Sequence, residues 1–342
     1  MAGLLDRLRF GRRLAAATRG QLEIAVLRSG LDAGLFEALK EPKGPAELAD
    51  ALELELDLSA AWLRAAHAHG LLDLREGKYR PSAYVDWLHE GADAAGARAM
   101  VGQVTLSYTP TLARLPSLLK GEERPVFGQD REEAIRVAEG SRVTEKVAFR
   151  ALHRIPGVSA ARRILDIGCG AGSYLAELLG RTRDALGTGV EVDPAVAERA
   201  RQRLRVTEVS RRAQIVEGDF LEVDLPRDAF DLVLLNNNLH YFDAEDRPRL
   251  LARAYESLAA SGVLAIQTPS ISDSATARAM GARATMATFD LFLRSHANLH
   301  GLPLLDELDA ELRAVGFQKL GRRPIVPGGM ALYVWARKGR EP

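Results

Sequence analysis

The sequence predicts an α/β protein in which a mainly α-helical region precedes a doubly wound parallel sheet. Up to about residue 120, apolar residues recur at the spacings of three and four that are typical of helices. From Ala161 onward, apolar runs alternate with helical segments, as in parallel sheets with crossover helices. The chain of 342 residues also exceeds the roughly 250–300 at which one hydrophobic core usually stops growing. We therefore expect a helical domain at 1–120, a linker and connecting helix at 121–160, and a sheet domain at 161–342.

Charge and composition exclude several classes of protein. The 46 Lys and Arg residues balance the 46 Asp and Glu residues, so no global field attracts nucleic acid or an acidic membrane. No run approaches the roughly 18–20 apolar residues of a transmembrane helix. The single cysteine, Cys169, excludes an internal disulfide and a Cys-rich zinc site. We expect a cytoplasmic protein without a bound metal and without nucleic acid or a membrane as partner. The Arg-rich segment 1–20 is interpreted as a first helix, because it lacks the continuous apolar core of a signal peptide.

The N-terminal part reads as short helices followed by a hairpin. Gly44-Pro45 begins a helix over residues 45–52, since proline is tolerated at the first helical position. Asp57 or Ser59 is expected to cap the next helix, over residues 58–72. Two short strands then flank a turn at residues 76–78. This order predicts a mainly α, winged-helix-like domain.

A winged-helix-like domain binds either DNA or a protein partner. The third helix offers mostly alanine with Trp62 and Leu63, and Arg64 is its only permanent cation. Base readout needs Arg, Lys, Asn or Gln on this helix, so burial is favoured over DNA binding. The helical segment 21–39 is also more apolar than a peripheral lobe requires. We therefore expect a homodimer formed through residues 1–120.

The C-terminal part reads as five strands with crossover helices and a final hairpin. The strands are RILDIG, ALGTGVEV, AQIVEGD, FDLVLLNN and GVLAIQTP, and helical patterns lie between most of them. A helix over residues 304–317 then precedes two strand-like runs joined by Pro327-Gly328-Gly329. The prediction is a Rossmann-like doubly wound sheet with a terminal antiparallel hairpin.

Three motifs at strand ends predict a nucleoside site. The run from Asp166 to Gly172, DIGCGAG, follows the first strand, where glycines let the backbone approach a ligand. Glu191 ends the second strand, 19 residues after Gly172, where a carboxylate can accept both ribose hydroxyls. Asp219 and Phe220 follow the third strand and offer a carboxylate and an aromatic face to a purine. Each motif alone also fits a cap, a strand end or a core residue. A dinucleotide is disfavoured, because Ser173 stands where such sites need glycine or alanine.

The motifs DIGCGAG, GVEVDP, GDF and DLVLLNNNLHYF, with the terminal hairpin, closely resemble class I S-adenosylmethionine-dependent methyltransferases. With its N-terminal half, the chain is similar to the small-molecule O-methyltransferase family, whose N-terminal domain forms a dimer and helps to cover the substrate. The resemblance implies S-adenosyl-L-methionine as cofactor. It also implies cofactor roles, by moiety, for the following residues: Gly168, Gly170 and Gly172 at the methionine, Glu191 at the ribose, Asp219 and Phe220 at the adenine, and Asp166 and Asn236 completing the pocket.

His240 is the candidate catalytic residue. It lies just beyond the fourth strand, and imidazole titrates near neutral pH. In the similar family a histidine at the matching position is the general base, although a structural role remains the alternative. Plant members of that family carry an acidic residue after the fifth strand to orient the histidine, whereas this chain has Gln267 and Thr268. Asp243 or Asp273 could substitute.

Aromatic and apolar residues near the C-terminal strands are expected to form the acceptor pocket. The predicted set is Tyr108, Tyr241, Met286, Phe289, Phe292 and His296. His296 and His300 at helical spacing could also bind a metal, but no third ligand is evident, so pocket or packing roles are favoured.

Three functions are open to such a chain. The first is O-methylation of a phenolic or polyketide-like metabolite of secondary metabolism, with His240 as base. The second is C- or N-methylation, or non-methyl chemistry with the same cofactor. The third is a winged-helix regulatory module with a vestigial nucleoside site.

Overall fold

The computed structural model describes residues 3–89, 94–128 and 131–339. The chain divides into two compact units, the first comprising residues 1–113 with 130–143 and the second comprising 114–129 with 144–342. The domain boundaries expected from the sequence stay predictions, and each unit is described by itself. No helix among the described residues is long and apolar enough to cross a membrane.

The first unit is mainly helical with one hairpin. In chain order its elements are α1 (Leu4–Asp32), α2 (Leu35–Ala38), α3 (Pro45–Ala51), α4 (Leu56–Ala68), β1 (Leu72–Arg75), β2 (Lys78–Pro81), α5 (Ala83–His89), α6 (Ala94–Gly102), a π-helix (Gln103–Tyr108) and α7 (Thr109–Ala113). Phe36, Leu39, Leu48, Leu63 and Leu71 form the centre of its core and are fully buried.

The hairpin predicted near residue 77 is confirmed. β1 and β2 pair antiparallel, with Leu72 opposite Pro81 and Arg75 opposite Lys78. Glu76 and Gly77 connect the strands with φ of 51° and 75°, the left-handed conformations of a tight hairpin turn.

The predicted cap of α4 is wrong. The helix begins at Leu56, earlier than expected, after Glu55, which makes no side-chain cap. Asp57 and Ser59 therefore lie inside the first turn, and the Ser59 hydroxyl donates to the Glu55 carbonyl at 2.7 Å.

The second unit holds the sheet. The helix α9 (Arg131–Leu152) belongs to the first unit up to Val143 and to the second unit from Thr144 onward. The other elements of the second unit are α8 (Leu115–Leu118), β3 (Arg163–Ile167), α10 (Ser173–Arg181), β4 (Leu186–Glu191), α11 (Pro194–Arg205), β5 (Ala213–Glu217), β6 (Phe230–Asn236), α12 (Asp246–Ser257), β7 (Leu258–Pro269), α13 (Ala275–Ala279), α14 (Ala282–Arg294), α15 (Leu305–Val315), β8 (Phe317–Pro324) and β9 (Ala331–Lys338).

The seven strands form one sheet in the order β5-β4-β3-β6-β7-β9-β8. The strands β5, β4, β3, β6 and β7 are parallel, whereas β9 runs antiparallel to both β7 and β8. The predicted doubly wound sheet with a terminal antiparallel hairpin is confirmed. The chain winds from β3 outward to β5 and then returns to β6 on the other side of β3. Ligands bind outside the carboxyl ends of the strands at such a reversal.

Apolar side chains cover both faces of the sheet, so its central strands are buried, as expected for crossover helices on each side, whereas the edge strands β5 and β8 are partly exposed. Gly187 and Gly189 on β4 leave room for Leu175 and Cys169 to pack closely against the sheet. A Cβ at Gly189 would lie 2.6 Å from the Cys169 sulfur, and one at Gly187 would lie 2.9 Å from Leu175. Cys169 is thus a buried packing residue, and burial raises the pKa of its thiol well above the usual range.

Candidate functional site

The glycine loop (Gly168–Gly172) connects β3 to α10 at the reversal point of the sheet. Gly168, Gly170 and Gly172 have φ of 62°, 54° and 72°, a region that other residues rarely adopt. A Cβ at Gly168 would also lie 2.3 Å from the side-chain nitrogen of Asn238. The loop therefore needs glycine for conformation at three positions and for space at one.

Asn238 holds the glycine loop, and sequence reasoning missed it. Its Nδ2 donates to the carbonyl of Ile167 at 2.9 Å and to the carbonyl of Gly168 at 3.0 Å. The run of three asparagines at the end of β6 was the available signal. Asparagine tolerates the left-handed backbone that Asn237 adopts with φ of 56°, so such a run indicates a turn.

Glu191 ends β4 and contacts the loop directly. Its Oε2 accepts from the Gly170 amide at 2.9 Å, and its Oε1 accepts from the Asp193 amide at 3.1 Å. The residue is only 9% exposed, and burial is the main cause that raises the pKa of its carboxyl. The carboxylate is thus fixed at the edge where the sequence predicts a ribose, and that contact stays a prediction.

Asp166 and Asn236 offer two unpaired acceptors beside the loop. The Oδ1 of Asp166 accepts from the Asn236 side chain at 3.3 Å. Asp166 Oδ2 and Asn236 Oδ1 are both buried, and neither has a partner among the described residues. Burial, helped by the negative charge of Glu191, raises the pKa of Asp166 to about 8. When Asp166 is ionised, both oxygens are buried acceptors that need a donor, and a cationic amine fits them best.

Asp219 and Phe220 follow β5. The Gly218 amide donates to the Glu191 carbonyl at 2.9 Å, which ties this segment to the end of β4. Asp219 is exposed and its Oδ1 accepts from the Leu221 amide at 2.9 Å. Phe220 is 4% exposed within the core, with the Arg253 guanidinium 5.5 Å from its ring centre. The structure gives Phe220 a packing role, and its predicted contact with adenine stays a prediction.

His240 lies in a 3₁₀ turn (Leu239–Tyr241), two residues after Asn238. Because Asn238 hydrogen-bonds the glycine loop, it holds the start of this turn next to the loop. Its ring is 4.7 Å from that of Tyr241 and 6.5 Å from that of Phe289, measured between centroids. Its backbone carbonyl accepts from the His300 amide at 2.8 Å. Burial lowers the pKa of His240 to about 4, so the imidazole is neutral at physiological pH.

The carboxylates considered as partners of His240 have other roles. Asp243 accepts from the amides of Glu245 and Asp246, each at 2.8 Å, before α12. Asp273 pairs with Arg283. Within the described residues, no carboxylate hydrogen-bonds the His240 ring.

The predicted acceptor residues of the second unit form a row of rings. Phe289 and Phe292 on α14 stack with centroids 6.3 Å apart, and His296 lies 4.6 Å from Phe292. Phe127, which sequence reasoning missed, packs edge-on against both Phe292 and His296. Met286 is half-buried on the same helix. This row, with His240 at one end, is called the aromatic row below.

The remaining predicted residues have separate placements. Tyr108 lies in the π-helix of the first unit. His296 and His300 do not share a helix, because α14 ends at Arg294, and the Nδ1 of His296 bonds the Phe292 carbonyl at 2.9 Å. The described residues contain no group of three or more His, Cys, Asp or Glu that could hold a metal ion.

The comparisons agree with this geometry. A methyltransferase domain family matches residues 164–262, which span β3 to β7. The 3-hydroxy-5-methyl-1-naphthoate 3-O-methyltransferase of Streptomyces sahachiroi is 30% identical over 259 residues, covering 72% of this chain and 74% of that protein.

Solved structures share the fold over the whole chain. An O-methyltransferase family protein from Burkholderia thailandensis has a TM-score of 0.80 at 21% identity and covers 100% of both chains. Human N-acetylserotonin methyltransferase has a TM-score of 0.78 at 18% identity, covering 99% of this chain and 100% of that one.

The chain therefore belongs to the S-adenosylmethionine-dependent methyltransferases, within the family of small-molecule O-methyltransferases. It is an enzyme, and S-adenosyl-L-methionine is its cofactor. The unpaired oxygens of Asp166 and Asn236 fit this cofactor, because its amino acid end carries an ammonium donor.

Proposed function

We propose that this enzyme transfers the methyl group of S-adenosyl-L-methionine to a hydroxyl oxygen of a phenolic or polyketide-like metabolite of secondary metabolism. The similarity to a naphthoate 3-O-methyltransferase supports oxygen as the acceptor atom and an aromatic ring as its carrier. The aromatic row beside His240 supports a flat acceptor, because rings pack favourably against rings. The proximity of a neutral histidine to the glycine loop is the observation that carries the proposal.

The cofactor lies, in this proposal, along the glycine loop. Gly168, Gly170 and Gly172 line the methionine moiety, with Asp166 and Asn236 accepting from its ammonium. Glu191 accepts the ribose hydroxyls, and Asp219 and Phe220 contact the adenine. The bound cofactor supplies an electrophilic methyl group on a sulfonium sulfur. The protein supplies orientation and, for a weakly acidic hydroxyl, removal of its proton.

His240 is the proposed general base. Its pKa of about 4 keeps the ring in the form that accepts a proton across the physiological range. The rings of Tyr241 and Phe289 position the half-buried His240 side chain. The His300 amide donates to the backbone carbonyl of His240 and so holds its backbone. Tyr241, Met286, Phe289, Phe292 and His296 contact the acceptor in this proposal.

We propose that the protein forms a homodimer through residues 1–120, with the exposed surface of α1 in the interface. Leu5, Leu8, Phe10 and Leu14 on this helix are between 54% and 70% exposed. A groove of about 500 Å³, lined largely by α1 with His69, lies within the first unit. Apolar side chains exposed in this number usually mark an interface. Sedimentation at micromolar concentration tests the dimer, and a monomer would contradict it.

Product analysis tests the reaction. The protein is incubated with methyl-labelled S-adenosyl-L-methionine and a panel of phenols, and the labelled product is located by mass spectrometry and NMR. We expect a methyl ether and stoichiometric S-adenosylhomocysteine. A methyl group on carbon or nitrogen, or cofactor consumption without methyl transfer, would replace the proposal with the corresponding chemistry of the same fold.

A further inference from the structure

In β7, where this chain was compared above with plant members that carry an acidic partner for the histidine, Gln267 is a neutral amide. Gln267 lies opposite Asn236 in the β6–β7 pairing, and its carbonyl accepts from the Asn237 amide at 2.9 Å. The side chain is 2% exposed, and its Oε1 accepts from the hydroxyls of Tyr174 at 2.5 Å and Tyr333 at 3.0 Å. Gln267 is therefore held in a buried network and carries no charge that could stabilise an imidazolium.

The two carboxylates that the sequence offers in place of such an acid, Asp243 and Asp273, also have other partners. Asp243 accepts two backbone amides, and its remaining electrostatic partners include His300 and Arg247. Asp273 forms an ion pair with Arg283. A general base without an adjacent carboxylate gains little when it takes up a proton, because nothing nearby stabilises the resulting positive charge.

The groups packed around His240 add to this effect. The rings of Tyr241 and Phe289 surround the imidazole, and burial is the cause that lowers its pKa. A neutral, poorly solvated imidazole is a weak base. Each unit by which the hydroxyl is a weaker acid than the imidazolium makes the transfer about tenfold less favourable.

We propose that this enzyme selects its acceptor by acidity, taking a phenol whose hydroxyl is conjugated with an electron-withdrawing group and rejecting aliphatic alcohols. This inference rests on the proposed O-methyl transfer and specifies its substrate class. His240 then receives a proton from a hydroxyl that the electron-withdrawing group has already made more acidic. The specificity follows from the neutral Gln267 and from the other partners of Asp243 and Asp273, so that no charged partner of His240 is found among the residues that the structure describes.

The step balances without another reactant. The phenol O–H proton passes to the free nitrogen of His240 or, for an ionised phenol, has already entered solvent. An oxygen lone pair forms the new O–CH₃ bond as the S–CH₃ bond breaks, and that bonding pair remains on sulfur. The negative charge of the phenolate and the positive charge of the sulfonium disappear together, so an apolar surrounding favours this charge-neutralising step.

Matched acceptors test the inference kinetically. The set contains 4-acetylphenol and its near-isostere 4-isopropylphenol, the two 2-naphthols with the same groups at position 6, and 4-acetylbenzyl alcohol. At pH 7 we expect kcat/KM for 4-acetylphenol to exceed that of 4-isopropylphenol by about 100-fold, because about two units of acidity separate their hydroxyls, and the naphthol pair should show the same direction with a smaller ratio. The benzylic alcohol should give no ether.

A binding measurement complements the kinetics. Sinefungin, a cofactor analogue with an ammonium in place of the methyl sulfonium, occupies the cofactor site while 4-acetylphenol is titrated by its phenolate absorbance. We expect the bound phenol to ionise at a pH at least one unit below its free value, because the ammonium of the analogue stands where the sulfonium lies and favours the phenolate. The control is Asp243→Asn, since asparagine also caps helices and the change removes the nearby charge. It should retain the acidity preference and change kcat/KM by less than about threefold.

The outcomes separate the two proposals. Equal rates for acetyl and isopropyl partners, methylation of the benzylic alcohol, or a bound phenol that ionises at its free value would overturn selection by acidity and leave O-methylation standing. A large loss in Asp243→Asn would also overturn it, because His240 would then depend on a carboxylate. If the protein binds cofactor but forms no ether with any acceptor, the proposed function fails and the inference fails with it.

Discussion

On the side of the glycine loop, hydrogen bonds with Glu191 and Asn238 fix the backbone, whereas on the side of His240 ring contacts do most of the positioning. Glu191 and Asn238 bond loop atoms at 2.9–3.0 Å, and three left-handed glycines set the backbone. His240, Phe289 and Phe292 are related by centroid distances of 6.3–6.5 Å. Hydrogen bonds impose one geometry, whereas ring contacts tolerate small shifts. The cofactor side is thus built for one ligand, and the acceptor side can vary while the cofactor side is retained.

Replacing His240 gives the largest expected effect on the acceptor side. At a pH two or more units below the ionisation of the acceptor, we expect His240→Ala to lower kcat by about 10²-fold, the low end of the usual contribution of a positioned base, because a pKa of about 4 makes this imidazole a weak base. The deficit should narrow as the pH rises past the ionisation of the acceptor, because phenolate needs no base. Cofactor affinity should stay within about threefold of wild type, since the proposal assigns the His240 ring to the acceptor and not to the cofactor. A loss of cofactor binding in this variant would show that the two sides are not separable.

The dependence of the wild-type kcat on pH tests the acceptor side of the same comparison. His240 has a pKa of about 4, so it loses its proton as the pH rises through that value and is available as a base above it. We therefore expect no inflection near pH 6.5 in kcat, and a rise governed by the acceptor instead. An inflection near 6.5 that disappears in His240→Ala would contradict the burial assigned to this ring.

Replacing Gly168 gives the largest expected effect on the cofactor side. A Cβ there meets the Asn238 side chain at 2.3 Å and the φ of 62° is unfavourable for alanine, so both the loop and its anchor must move. We expect Gly168→Ala to weaken binding of S-adenosylhomocysteine by at least about 100-fold in calorimetry, because the loop no longer presents one geometry. Gly180→Ala in α10, where a Cβ meets nothing within 4 Å, is the matched control and should bind normally. Equal binding by both variants would contradict the role of the loop.

Asp166 links cofactor binding to pH. Its pKa of about 8 means that the carboxyl is protonated in the free protein at pH 7 and must ionise to accept from an ammonium. Binding should therefore release up to about one proton, and affinity should rise with pH and level off above about 8. Calorimetry in two buffers of different ionisation enthalpy measures this release. Asp166→Asn should bind about 10–100-fold more weakly, without proton release. An unchanged proton count in the variant would assign the release to another group.

The sequence predicted the cofactor side better than the acceptor side for a physical reason. The glycines, Glu191 and Asp219 lie at or just beyond the ends of strands. Parallel strands bring their carboxyl ends to one edge, so the proximity of these residues follows from the topology. Phe127 contacts Phe292 across 165 positions of the chain, and no local pattern encodes such a contact. Asn238 could have been suspected from the asparagine run, but its two bonds to loop carbonyls depend on the observed turn.

The same distinction explains two errors. The cap of α4 was misplaced because the capping preference of Asp57 and Ser59 is weak against a helix that begins at Leu56. His296 and His300 were placed on one helix because their spacing fits, whereas α14 ends at Arg294 and both follow it. Helix ends depend on packing that periodicity does not report.

Calorimetric titration of the purified protein with S-adenosylhomocysteine tests the assigned cofactor edge most directly, when wild type is compared with Glu191→Ala and Asp219→Ala. Losing a carboxylate partner leaves ligand hydroxyls or an amine unpaired, at a typical cost of about 1–3 kcal/mol. We predict one binding site per chain in the wild type and a dissociation constant raised by about 5- to 150-fold in each variant. Wild-type affinity retained by both variants, or no binding by the wild type, would contradict the assignment.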